Sequence, residues 1–141
     1  MAKITFPGLE QYERQLSTLF KDTEQIAGAA IYAGADIVAD AIKRNIGTLP
    51  QKTGVTKRGL ERGFGIAPLQ DDRGYLNVKL GFDGYNENGV ANVLMARVFE
   101  SGTSNVPKHP FVRPAINATR KQAEGKMAEV LETEIRKLMN E

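Results

Sequence analysis

The hydrophobic patterning predicts an α+β fold: N-terminal helices including one long small-residue helix, a small antiparallel sheet, and a C-terminal amphipathic helix. Three observations carry this. Apolar residues recur at three- and four-residue spacing between Leu9 and Ile46 and again between Ile116 and Leu138. Strict alternation occupies Tyr75 to Leu80. The helical and strand-like stretches are segregated rather than interleaved, which argues against βαβ units. At 141 residues the chain is expected to form one domain, 1–141, with a real core.

The first element predicted is a short helix whose buried stripe is Leu9, Tyr12, Leu16, Leu19 and Phe20, with Pro7 in its first turn. A second helix is expected from Asp22 to Ile46, about 37 Å long at about 1.5 Å per residue. Asp22 is its expected cap, with Gln25 three residues on. Ile26, Ala30, Ala33, Ile37, Ala41 and Ile42 share a face, Lys43 and Arg44 suit the last turn, and Gly47 follows as a stop. The surface of this helix is unusually small, with Ala27, Gly28, Ala29, Ala30, Ala33, Gly34 and Ala35 in close succession. Each interior glycine costs about 1 kcal/mol relative to alanine. Close approach of another helix, from this chain or from a neighbouring subunit, is the expected compensation.

Gly47 to Gly63 reads as a long loop. Two strands, within "RGFGIAPLQ" and "YLNVKLGF", flank "DDRG", a hairpin turn of three to five residues. Leu76, Val78 and Leu80 are expected to be buried, and Tyr75, Asn77 and Lys79 to face water. "DGYNENG" (83–89) is a second turn-rich loop. In "VANVLMARVFE" (90–100) a helix is expected at the start and extended chain near Val98 and Phe99. Pro114 opens the last helix, whose stripe is Ile116, Ala123, Met127, Val130, Leu131, Ile135 and Leu138.

Composition narrows the function classes. The chain has no cysteine, which excludes disulfides, a thiolate nucleophile and Cys-ligated metal centres. "MAKITFPGLE" lacks the apolar core of a secretory signal. The most apolar run, Ile26 to Ala35, ends at Asp36 and is shorter than the ~20 residues of a membrane helix. A soluble protein without membrane contact is expected.

Charge is uneven despite a net +2. Residues 1–42 hold three basic and six acidic side chains, and residues 43–73 hold seven basic and three acidic. Lys52, Lys57, Arg58 and Arg62 therefore form a candidate basic loop for nonspecific contact with double-stranded DNA. Sequence-specific reading is not expected, because no basic reading helix or tryptophan platform accompanies these charges.

No enzyme is expected. His109 is the single histidine, and Ser101, Thr103 and Glu100 are near it only in sequence. The prolines flanking "KH" suit a fixed connector better than a base that must reach a nucleophile. "DDRG" and "DGYNENG" lack calcium-loop periodicity. "RGLERGFG" lacks the lysine and the strand–glycine–helix context of a phosphate loop. No catalytic residue, cofactor or metal site is predicted.

"FESGTSNVPKHPFVRPAI" (99–116) is better explained as a shaped connector. Gly102 allows a sharp exit, Thr103 can bond locally, and Pro107 and Pro110 extend the residues before them. Phe111 is the expected apolar anchor. Arg113 either pairs with Glu100 or faces a partner.

"VFESGTSNVPKHPFVRPAI" closely resembles the Glu-x-Gly-Thr … Pro-Phe-x-x-Pro-Ala signature of a neck and tail-completion family of long-tailed double-stranded DNA phages. The matching residues are Glu100, Gly102, Thr103, Pro110, Phe111, Pro114 and Ala115. Ser101 departs from the aromatic often found between the glutamate and the glycine. The resemblance implies a structural virion protein of the head–tail connector, made in the host cytoplasm and assembled into a homo-oligomeric ring, by analogy a hexamer. Its implied partners are head-closure or adaptor proteins, the tail terminator and tail-tube proteins. A tail terminator or another minor tail component is the nearest alternative, and a nonspecific DNA-binding module is the alternative of a different class.

Overall fold

A computed structural model describes residues 10–50, 54–73 and 75–140. The fold is α+β, as the patterning predicts, but the helices are divided differently. The two predicted N-terminal helices are one, α1, running from Glu10 to Ile46. It passes through Asp22 instead of starting there. No glycine or proline lies between Glu10 and Ala27, so nothing interrupts the hydrogen-bond ladder. An interior aspartate costs only about 0.7 kcal/mol or less relative to alanine. Pro7 and Leu9 lie outside the described residues, as do the side chains from Tyr12 to Phe20.

The last helix, α4, spans Val112–Met139 and packs antiparallel along α1. Asp22 and Ile26 lie beside Glu134 and Leu138 at one end. At the other end, the Asn45 side-chain amide donates to the Phe111 carbonyl at 3.1 Å. Midway, a methyl group added at Gly34 would come within 2.6 Å of Met127 Cγ. The small-residue face is therefore compensated within the chain, by helices close enough to need glycine and alanine. The most apolar 18-residue window of Asp22–Ile46 has a mean hydropathy of 1.2, so this stretch has the length and composition to cross a membrane. It exceeds the run read from the sequence because Asp36 and Asp40 lie in a stretch whose average remains apolar. Ala30, Ala41, Ile42 and Ile46 from this stretch are buried against the rest of the protein, and a third of its most apolar window is buried in all.

The core lies at the C-terminal end of α1. Ala41, Ile42, Ile46 and Leu49 meet Leu60, Ala96, Phe111 and Ala115 there. Phe82 joins the sheet to it, 5.2 Å from the Phe64 ring and 5.9 Å, edge-on, from the Phe111 ring. Edge-to-face packing of this kind favours the aromatic quadrupoles as well as the burial.

Part of the predicted long loop is a helix, α2, Val55–Gly63. Nine residues make a marginal helix in isolation, and Gly59 and Gly63 weaken its local signal further. Tertiary burial holds it in place: Leu60 is fully buried, and Gly59 lies against Asn92 and Asn86.

Four short strands follow: β1 Phe64–Ile66, β2 Gln70–Asp72, β3 Tyr75–Asn77 and β4 Leu80–Phe82. They form one antiparallel hairpin in two pieces, β1 with β4 and β2 with β3. A 2.8 Å bond from the Ala67 amide to the Lys79 carbonyl lies between the pieces. Asp72 pairs with Tyr75, so the turn is tighter than predicted. The expected burial alternation is also blurred, since Leu76, Asn77 and Val78 are all half-buried where the ladder breaks.

The 83–89 loop is fixed by Asn86, whose Oδ1 accepts from the Asn88 and Val90 amides at 2.9 and 3.0 Å. It delivers the chain into α3, Asn92–Ser101, which packs on α2 and β4. Val98 and Phe99 are helical, contrary to the extended chain expected there. The turn continues because the first residue able to end it is Gly102, at φ 75°.

Candidate functional site

Carrying α3 to Ser101 places Glu100 on its last turn, and the geometry of the whole connector follows. Gly102 leaves the helix with its amide bonded to the Val98 carbonyl at 2.8 Å. Its positive φ is strained for other residues, and a side chain there would press on the Lys108 backbone nitrogen at 2.9 Å. Thr103 then closes a compact turn. Its Oγ1 accepts from the Val106 and Asn105 amides at 3.0 and 3.3 Å, and its own amide donates to the Val106 carbonyl at 2.8 Å. The His109 amide donates back to the Phe99 carbonyl at 2.7 Å. These bonds return the chain to the end of α3, with Pro110 on the surface and Phe111 buried to 1% exposure.

The returning connector meets the Glu100 carboxylate. An α-helix leaves its first four amide groups without intrahelical partners. In α4 these belong to Phe111, the N-cap residue, and to Val112, Arg113 and Pro114. Glu100 Oε1 accepts from the Phe111 and Val112 amides, each at 2.9 Å, and Oε2 accepts from the Arg113 amide at 3.0 Å. Pro114 has no amide hydrogen to satisfy. One carboxylate and one proline thus account for all four positions. The helix begins at Val112, two residues before the predicted start, because Glu100 supplies a cap that is remote in sequence.

Burial raises the Glu100 pKa, but the bonds from Val112, Arg113 and Phe111 and the positive charge of Arg113 oppose it. The net effect is a carboxyl held below its ordinary range. The positive end of the α4 dipole acts in the same direction. Arg113 therefore serves Glu100 mainly through its backbone amide. Its guanidinium is outside ion-pair distance, and the residue lines an exposed groove.

That groove, about 590 Å³ in volume, runs between α3 and the first turns of α4. Val93, Ala96, Val112 and Ile116 line it, with Arg97, Arg113 and Arg120 also on its walls. Val93 is 54% exposed, a large fraction for a side chain beside the core. Among the described residues, Arg97 and Arg120 make no ion pair. Reading 98–99 as extended hid the Glu100 end of this surface. A continuous helix places Val93, Arg97 and Glu100 on one face, at i, i+4 and i+7.

The predicted basic loop is altered more substantially. Lys52 lies outside the described residues. Lys57, Arg58 and Arg62 are on α2, and much of their charge is engaged. Lys57 Nζ donates to the Gly47 carbonyl at 2.8 Å. Arg58 grips Glu87 with two bonds, Nε to Oε1 at 2.9 Å and Nη2 to Oε2 at 3.1 Å. Arg62 lies 3.6 Å from the same carboxylate. The hydrogen bond and charge of Arg58 lower the Glu87 pKa, while Glu87 raises that of Arg58. Glu87 is the residue sequence reasoning missed, since nothing local links it to a segment 29 positions away.

His109 is exposed and takes part through its backbone. Ser101 and Thr103 are also exposed, and the Glu100 carboxylate is occupied by backbone donors. The described geometry therefore does not assemble the triad that can be written from the sequence. Compared with known proteins, the chain matches no family model, no curated protein and no solved structure.

Proposed function

We propose that this chain is a structural subunit of the head–tail connector of a long-tailed phage, one that joins the tail to the head or completes it. Its site of action is the virion neck, and its partners are further copies of itself, head-closure or adaptor proteins, the tail terminator and tail-tube proteins. The observation that supports this reading is the Glu100 cap. Five of the seven residues on which the family resemblance rests are parts of one device: Glu100 accepts, Gly102 and Thr103 turn the chain, Phe111 anchors it and Pro114 needs no donor partner. Such a device fixes the angle between two helices, which suits a subunit that must present the same faces in every copy.

Locating the subunit in purified particles by electron microscopy, and counting its copies, tests the proposal. Particles made without it should contain heads and tails that fail to join. Tails of uncontrolled length would indicate a terminator instead, and particles that assemble normally without the subunit would refute the neck assignment. A nonspecific DNA-binding module draws less support from the geometry, because Lys57, Arg58 and Arg62 already have partners within the chain.

A further inference from the structure

The 83–89 loop contains a peptide bond able to alter its own chemistry. Asn88 is the one asparagine of the chain that precedes glycine. Ile or Val follows Asn45, Asn77, Asn92 and Asn105, where a branched Cβ shields the next amide nitrogen, and Glu or Ala follows the other three. Gly89 has no such shield. It stands at φ 78°, and a methyl group built on it would meet nothing within 4 Å. Asn88 is exposed, and its side-chain amide makes no hydrogen bond among the described residues. One restraint opposes this freedom. The Gly89 amide donates to the Asn86 carbonyl at 2.9 Å, closing a turn that the buried Asn86 side chain braces through the Asn88 and Val90 amides.

We infer that Asn88–Gly89 is a site of spontaneous deamidation in the folded protein, and that the Asn86 turn sets its pace. The Gly89 nitrogen gives up its proton to solvent and attacks the Asn88 Cγ. The Cγ–Nδ2 bond breaks, and ammonia leaves with a proton returned by solvent. Water then opens the cyclic imide. Cleavage at Cγ leaves aspartate at position 88, and cleavage at the main-chain carbonyl leaves isoaspartate. The attack requires the bond from Gly89 to Asn86 to open first, a local event that needs no unfolding of the core. Either product puts a carboxylate next to Glu87, the residue that holds Arg58 and Arg62. Isoaspartate also adds a methylene to the main chain between the two amides that Asn86 Oδ1 binds, so it loosens the turn that carries Glu87. This chemistry does not depend on the neck assignment.

The test incubates the full chain at mildly alkaline pH beside a synthetic peptide of residues 83–91, which has no buried Asn86 to brace its turn. Intact-mass measurement and peptide mapping should show a gain of about 1 Da confined to Asn88. The gain should be slower than in the peptide and faster as pH rises, with isoaspartate among the products. Asn88→Gln should remove it, because the longer side chain closes a less favourable ring. Asn86→Ala, checked by circular dichroism for retained helix content, should speed it by at least about threefold, since the brace on the turn is lost. No gain at Asn88 over about ten half-lives of the peptide, or a gain that appears first at another asparagine, would overturn the site. An Asn86→Ala rate equal to the parent's would overturn the role of the turn. Should Asn86→Ala fail to fold, the parent in guanidinium takes its place, and an unfolded chain that converts no faster than the folded one overturns that role as well.

Discussion

Glu100 and Glu87 are both glutamates that engage a segment distant in sequence, yet they do different work. Glu100 is half-buried and accepts three bonds from backbone amides that have no alternative partner once α4 forms. Glu87 is exposed and binds two arginine side chains that water would otherwise solvate. Burial of the first raises the cost of losing its partners, since an orphaned amide near the core cannot turn to solvent. The second pair is weakened by salt and by the entropy of holding long side chains in place. Sharing a charge type and a long-range contact says little about importance; what counts is whether the partners have anywhere else to go.

The largest expected effect comes from removing the anchor that brings the connector to Glu100. Phe111→Ala should cost about 3–5 kcal/mol, read as a lower urea midpoint. A loss below about 1 kcal/mol would mean that Phe111 does not hold α4 to the core. Glu100→Ala, which leaves three amides without acceptors, should cost about 2 kcal/mol, and Glu100→Gln should cost less because its amide oxygen still accepts.

The pH dependence sharpens the same contrast. The Glu100 carboxyl is depressed below its ordinary value of 4.5, so its stabilisation is complete above that value and is lost as pH falls through the lower folded-state pKa. The difference in unfolding free energy between the parent and Glu100→Gln should therefore be full at neutral pH and shrink in strong acid. A difference that stays constant down to about pH 2 would contradict the cap's ionic character.

The smallest stability effect is expected at Glu87. Glu87→Gln should leave the urea midpoint within error, but it frees Arg58 and Arg62. If α2 faces DNA at all, this variant should bind nonspecific duplex more tightly, with a salt dependence steeper by up to about 2 in log–log slope. An unchanged slope would remove the remaining case for α2 as a DNA-facing element.

Legibility followed the range of the interactions. The long apolar stripe of α1 and the stripe of α4 repeat over many turns, so their existence could be read directly. The residues of the connector were legible as a group, but the bonding among them was not. Gly102, Thr103 and Phe111 each suggest a local role, whereas the acceptor for the α4 amides lies 11 to 13 residues away on another helix. The α2 helix was missed because its two glycines and short length mask one decisive feature, the burial of Leu60. The Glu100 end of the groove was missed with it, because Glu100 joins Val93 and Arg97 only when 98–99 are helical.

By itself the sequence determined the α+β class, the small surface of α1 and the residues of the connector, because these depend on periodicity and on the steric properties of glycine and proline. Tertiary structure decided that 55–63 is helical, that Glu100 caps α4 and that Glu87 holds the α2 arginines. Each of those outcomes depends on a partner remote in the chain or on burial that compensates a weak local preference, and neither is encoded in any short stretch.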